Sequence, residues 1–383
     1  MLQKGATLMR NLAISLIGFT TCLLLVSGPF ASNAAAQSWS SNGPLPRFLQ
    51  SMVYDSSSHR IIMFGGESTD LTSSFPAMND LWRLYGSPTP RGGTGLNWNQ
   101  VHPTGTPPSP RYGHSAGYDP ASNQMIVFGG QVGQNTCAND AWALTNANGL
   151  GGIAGWIELS PSGGPPPARE EQGGVYDPNS NTLMIFAGDN CNNVPFSDVW
   201  VLSNANGVSG TPTWTQLSPA SGPTARRSFG TTYDPRSNEL MIFGGFNDSG
   251  GYFNDVWVLS NADGTGGMPV WTHLSPTGTL PAARANLSVT YDSASNRMTL
   301  YGGIAGGTIY NDVWVLTNAN GIGGTPAWMQ IPSSDILPAA RAAHRAVYIP
   351  SSNVMAVFGG TLTPPPSQLA TGDVFLLSNA NGQ

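Results

Sequence analysis

One unit is written out six times along this chain, and that repetition limits the fold before any single residue does. Arg47, Arg111, Arg169, Arg226, Arg284 and Arg341 open the units, at spacings of 64, 58, 57, 58 and 57 residues. A pair of small residues keeps the same beat, at Gly65-Gly66, Gly129-Gly130, Ala187-Gly188, Gly244-Gly245, Gly302-Gly303 and Gly359-Gly360. So do Asp80, Asp140, Asp198, Asp255, Asp312 and Asp373. All eleven tryptophans occupy repeat positions: Trp82, Trp142, Trp200, Trp257 and Trp314 form one series, and Trp39, Trp98, Trp156, Trp214, Trp271 and Trp328 the other.

Each unit reads as four short strands. In the second unit these cover residues 114–118, 124–128, 141–144 and 156–159, with Asp119-Pro120 and Ser122-Asn123 marking the first turn. The apolar runs before the glycine pairs do not alternate, which suits strands buried on both faces. Four antiparallel strands per unit, stacked face to face with their neighbours, predict an all-β fold, a six-bladed β-propeller. The sixth unit stops at Gln383 after its third strand, whereas the segment before the first unit carries a lone Trp39. The strand near Trp39 is therefore expected to complete blade six and close the ring, leaving no open sheet edge.

Lys4 and Arg10 precede an apolar stretch from Leu12 to Val26, followed by Ala34-Ala35-Ala36. This pattern reads as a signal peptide over residues 1–36, with cleavage before Gln37 and a secreted or periplasmic product. Residues 37–383 then make one propeller domain, expected to be monomeric and without a membrane span. Cleavage removes the only lysine and leaves 13 arginines against 21 acids, a net charge of −8. Such a surface is a poor match for phosphate backbones, which argues against nucleic acid as a partner. Cys137 and Cys191 occupy equivalent loops of the second and third units. They are either joined in a cross-blade disulfide or remain two free thiols.

The Phe-Gly-Gly second strand, the aromatic third strand and the Trp of the fourth resemble kelch repeats, and the resemblance covers essentially the whole of residues 37–383. The chain looks like bacterial exported kelch proteins grouped with the central domain of galactose oxidase. The resemblance implies a kelch-type propeller whose function sits on loops converging at one channel mouth. These loops follow each opening arginine and each glycine pair, and their blade-to-blade differences are where a ligand is read. Candidate ligand-binding residues are Tyr112, His114, Glu170, Glu171, Arg227, Phe229, Asn286 and His344. The recurring Arg and Asp are expected to be structural partners across neighbouring blades, the rival being an arginine ring lining the mouth for an anionic ligand.

A copper radical oxidase needs two His and two Tyr ligands, and only His114 and His344 of the five histidines share a loop position. Neither a metal site nor a cofactor is therefore expected. The reading is a binding module for an extracellular protein or glycan. The alternative is a carbohydrate-active enzyme of mutarotase or epimerase type, with Glu170 or Glu171 as general acid or base and Arg227 as electrostatic partner.

Overall fold

The computed structural model describes residues 43–70, 75–86, 96–332 and 338–383. The expected signal segment and the expected strand near Trp39 lie outside the described residues. Within 43–383 the strands form six antiparallel blades around a central channel. The first blade runs Ser51–Asp55, Arg60–Glu67, Ala77–Tyr85 and Asn97–Val101 from the channel outward. Blades two to five repeat that order, and the sixth shows Arg345–Ile349, Val354–Phe358 and Val374–Ser378. Among the described residues no helix is long and apolar enough to cross a membrane.

Second strands are buried on both faces, as in Gln124–Phe128, because each is sandwiched between neighbouring blades. The seams are built from an aromatic pair: the phenylalanine ending one second strand packs on the fourth-strand tryptophan of the next blade. Phe64–Trp156, Phe128–Trp214, Phe186–Trp271 and Phe243–Trp328 have ring centroids 4.9, 4.9, 4.9 and 5.2 Å apart. Phe358 meets Trp98 at 5.0 Å, so the same contact joins the sixth blade to the first.

Ring closure is also written in the backbone. The second residue after each opening arginine adopts left-handed backbone, with φ between 50° and 64° at Leu49, Gly113, Glu171, Ser228, Asn286 and Ala343. Each of these six N–H groups donates to the carbonyl of its counterpart in the preceding blade. Gly113 donates to Leu49, Glu171 to Gly113, Ser228 to Glu171, Asn286 to Ser228, Ala343 to Asn286 and Leu49 to Ala343, over 2.7–3.1 Å. The result is a closed, one-way circuit of hydrogen bonds encircling the channel.

The recurring arginines are buried staples. Arg226, 1 % exposed, donates from both Nη atoms to Asp255 at 2.6 and 2.9 Å and from Nη1 to the Gly244 carbonyl at 2.9 Å. Its own backbone N–H and C=O meanwhile bind Phe196 and Gly188 of the preceding blade. The other five arginines repeat this bidentate pairing with Asp80, Asp140, Asp198, Asp312 and Asp373. The pairing is within one blade, which corrects the expectation of a bridge between neighbours; it is the arginine backbone that crosses the seam. None of the six side chains lines the mouth, because all are 0–1 % exposed.

At the opposite end of the channel a second latch joins the blades. The third-to-fourth-strand turns place Asn148, Asn206, Asn320 and Asn381 so that each Nδ2 donates to Asp55, Asp119, Asp234 and Asp292 of the preceding blade, over 2.7–2.9 Å. Positive φ in these turns falls on the first asparagine and on the glycine, as at Asn146 and Gly149. The second asparagine is thereby left free to latch. Blade four carries Asp263 at this position, buried at 6 %, where an amide stands in the other four turns. Tyr233 of the same blade donates to Asp177 at 3.2 Å, and in the next seam Asp234 accepts from both Tyr291 and Asn320. Asp263→Asn should therefore supply the missing donor and raise unfolding free energy by about 1–2 kcal/mol. Urea denaturation checks this, and a variant no more stable than the parent would show that the latch contributes nothing at this seam.

Candidate functional site

The residue after each opening arginine pairs with the residue after the glycine pair, so two loop series meet at the same end of the channel. The pairs are Phe48 with Glu67, Tyr112 with Gln131, Glu170 with Asp189, Arg227 with Phe246, Ala285 with Ile304 and Ala342 with Thr361. Identical backbone geometry thus presents a different side chain in nearly every blade. Blades one to four contribute charged and aromatic groups. Part of the rim is apolar, where Phe48, Leu49, Ala343 and Ala370 pack together against Tyr112.

Arg227 organises the charged arc. Its Nη1 donates to Asp189 at 2.6 Å and to Asp248 at 3.1 Å, and its Nε lies 3.9 Å from Glu171. Ser228 Oγ donates to Glu171 Oε2. Burial, with the charge of Glu171 added to it, pushes the Glu170 carboxyl up to about 9. The same two causes raise Glu67 to about 7. Burial also lifts Glu171 and Asp189, although Ser228 and the Cys191 backbone, together with Arg227, oppose it. Tyr112 stacks on Phe75 with centroids 5.6 Å apart, and burial beside Glu67 and Glu170 keeps its phenol protonated.

Below this rim lies a cavity of about 170 Å³, lined by Glu171, Ser228, Asn286, Thr231 and Arg345 among others. Arg345 is a cation lining this cavity, and burial lowers its pKa while the charge of Glu171 works against that. Its side chain donates to the His344 carbonyl at 3.3 Å. Asn286 Oδ1 and Thr231 Oγ1 are buried without a partner and face the same space.

Of the residues singled out from sequence, Tyr112, Glu170, Glu171 and Arg227 come together at the rim, and Asn286 belongs to the hydrogen-bonded circuit. His114, Phe229 and His344 sit lower, wedged in the seams and 3 %, 8 % and 0 % exposed. Their position is shared with Gln50 and Gln172, whose Nε2 atoms donate to the Phe358 and Phe128 carbonyls of the preceding blade. His114 Nε2 meets Ser51 Oγ at 2.8 Å, and the His344 ring packs on Tyr301 at 5.0 Å. Sequence reasoning passed over Arg345. Its signal was present one residue after the wedge, where the units carry Ser51, Ser115, Gly173, Gly230 and Ser288 but then Arg345.

Burial and the charges of Arg341 and Arg345 hold His344 well below the ordinary imidazole range. The folded chain therefore keeps it neutral, whereas an unfolded histidine takes a proton below about pH 6.5. Stability from this residue is present above that pH and lost as pH falls, at up to about 1.4 kcal/mol per pH unit. The raised mouth carboxylates have the opposite sign, so the readout must be a difference. His344→Gln, which copies Gln50, should gain on the parent between pH 7 and 5; a constant difference would mean that His344 protonates in the folded state.

Three comparisons with known proteins bear on this arrangement. A family model described as the KLHDC2/KLHL20/DRC7 Kelch-repeats domain matches residues 29–202 and 210–381. Host cell factor 1 of Rattus norvegicus is 27 % identical over 272 residues, covering 67 % of this chain but only 12 % of that protein. The leucine-zipper-like transcriptional regulator 1 homolog of Drosophila melanogaster is 34 % identical over 148 residues, 37 % of this chain and 13 % of its own. The chain therefore spans about an eighth of the length of these relatives. The solved structure of YjhT superposes with a TM-score of 0.59 at 14 % identity, covering 88 % of this chain and 96 % of that one, a likeness of fold.

Proposed function

The chain belongs to the kelch-repeat family, and from that we propose that it is an exported binding module that grips a protein or glycan at the Tyr112–Glu170–Arg227 mouth. One observation carries the reading: the backbone after each opening arginine is the same in all six blades, while its side chains run Phe48, Tyr112, Glu170, Arg227, Ala285 and Ala342. Packing would favour repetition at a sixfold position, as it does for the buried arginines. Divergence on a fixed frame is what recognition uses. The rim combines an aromatic anchor, an arginine and an apolar arc, a mixture suited to a protein surface.

The test places a photo-crosslinking residue at Tyr112 and, as control, at Leu150 in a turn at the opposite end of the channel. Purified full-length protein is then exposed to an envelope fraction of the source organism and to an array of glycans. The reading expects adducts or glycan capture at Tyr112, absent from the Leu150 probe and lost with Arg227→Ala. Equal labelling at both ends, or none with either material, would overturn it.

A second reading is favoured by the crowding of Glu170 and Glu171 against Arg227. One acid could exchange a proton with a sugar while the arginine balances charge, giving mutarotase or epimerase chemistry. Anomer exchange followed by NMR should then fall about 100-fold or more in Glu170→Gln or Glu171→Gln. Unchanged rates in both variants would exclude this reading.

A further inference from the structure

We propose that reduction of the bridge between Cys137 and Cys191 turns this rim into a site for a thiophilic divalent cation such as zinc, held by two thiolates and the Glu170 carboxylate. The bridge spans two blades, with Cα atoms 5.6 Å apart. Ligand atoms of Cys137, Glu170 and Cys191 all lie within 4.8 Å of one another. The two sulfurs are so close only because they are bonded; once the bridge is broken they must part to the roughly 3.3–3.8 Å that separates ligands about 2.0–2.3 Å from zinc around a tetrahedron, while Glu170 already lies beside them. Cys191 is buried at 7 % and Cys137 half-buried, so a metal there would be shielded on one side and reachable on the other. The fourth position is left to water.

The three ligands come from frames that do not depend on the bridge. Glu170 is fixed by two backbone hydrogen bonds with Asp189, at 2.9 and 3.0 Å. The Cys191 N–H donates to Asp189 Oδ1 at 2.7 Å. Cys137 pairs with Gln131 across the Gln131–Gly133 and Thr136–Cys137 hairpin. Side-chain rotation can therefore part the sulfurs without rebuilding either loop. Arg227 is ion-paired with Asp189, the residue that pairs with Glu170, and so offsets part of the negative charge around the ligand set. Two thiolates select zinc or cadmium over calcium or magnesium.

The chemistry balances with a dithiol as reductant. It passes two electrons to the bridge, the Sγ–Sγ bond breaks, the dithiol closes to a cyclic disulfide and each cysteine gains a thiol. Zinc then replaces both thiol protons and the proton that the buried Glu170 carboxyl carries at neutral pH, and all three leave to buffer. With only three cysteines in the chain, no other seam is disulfide-linked, so the ring has no general need of the bridge.

The experiment uses the full chain carrying Cys22→Ser, so that only these two thiols remain, treated with dithiothreitol and desalted without oxygen. Zinc chloride is titrated against a chromophoric chelator, and cadmium is followed by its thiolate charge-transfer absorption. The proposal expects one zinc per chain in the reduced protein and none in the oxidised protein. Glu170→Gln should weaken binding at least about tenfold, the lower end of what even outer-sphere partners contribute, and Cys137→Ser/Cys191→Ser should abolish it. A melting curve of the double serine variant reports whether the ring stands without the bridge. No zinc in the reduced protein, equal affinity in Glu170→Gln, or collapse of the fold on loss of the bridge would each overturn the proposal.

Discussion

Asp255→Ala is expected to cost about 3–5 kcal/mol in urea unfolding at neutral pH, the range for breaking a buried ion pair from one side. The two partners are unequally placed: the Arg226 side chain is 1 % exposed and that of Asp255 23 %. Removing the aspartate strands the guanidinium in the interior with only carbonyls around it, and also deprives Trp257 Nε1 of its acceptor at 2.8 Å. Arg226→Ala leaves the more accessible partner behind, and its penalty should come mainly from lost packing over Phe253, whose ring centroid lies 4.3 Å from the guanidinium carbon. Arg226→Met combined with Asp255→Ala should recover part of the loss, because no uncompensated charge remains. Burial pushes the Asp255 carboxyl up, but Arg226 and Trp257 outweigh it and hold it below its ordinary range. The stabilisation is therefore present above about pH 4 and lost as pH falls further, so the gap between Asp255→Ala and the parent should narrow in acid. A loss below about 1 kcal/mol, the scale of an exposed pair, would mean that the staple does not hold the blade.

The glycine pairs supply the second large effect, and they separate one residue from the next. The second glycine of each pair has φ between 89° and 103°, which disfavours any residue with a side chain. A Cβ at Gly245 would also stand 2.8 Å from the Arg227 carbonyl and 2.9 Å from Phe229 Cβ. Gly245→Ala should cost about 2–5 kcal/mol, combining backbone strain with overpacking. The first member, Gly244, has φ 69°, and although a Cβ there would also stand 2.8 Å from a backbone carbonyl, that of Arg284, blade three already accommodates Ala187 at the same position with φ 55°. Gly244→Ala is therefore expected to cost only about 1–2 kcal/mol. Thermal and urea denaturation of the two single variants decide the matter, and equal losses would refute the distinction.

These two effects show which parts of the molecule could be read in advance. Recurrence exposed the arginines, aspartates, glycine pairs and tryptophans, because a residue needed by every blade appears in every unit. It did not reveal which aspartate each arginine meets, since a staple within a blade and one between blades repeat identically. The left-handed circuit was hidden for another reason. Its members are Leu49, Gly113, Glu171, Ser228, Asn286 and Ala343, and only glycine and asparagine advertise positive φ.

The rim was legible as loops and partly as residues. Glu170, Glu171 and Arg227 stood out by charge, and the structure gathers them. Glu67 and Asp189 belong to the other loop series; the kelch resemblance placed both series at one mouth, but the residue-by-residue pairing that sets Glu67 and Asp189 into the rim shows only in the structure. Arg345 was overlooked because it begins a strand rather than a loop, although it interrupts a column of serine and glycine. The two histidines shared a position for packing reasons, the same position that glutamine fills in blades one and three.

The one-way circuit around the channel has no first or last member, since every blade gives one N–H and takes one through its carbonyl. A ring of this kind accepts copying. Duplicating one unit of the chain would insert a link that both donates and accepts, leaving no group unpaired, and deleting one would remove both halves together. The number of blades is thus open to change without redesign of the joints, and each added copy arrives with a rim position free to diverge.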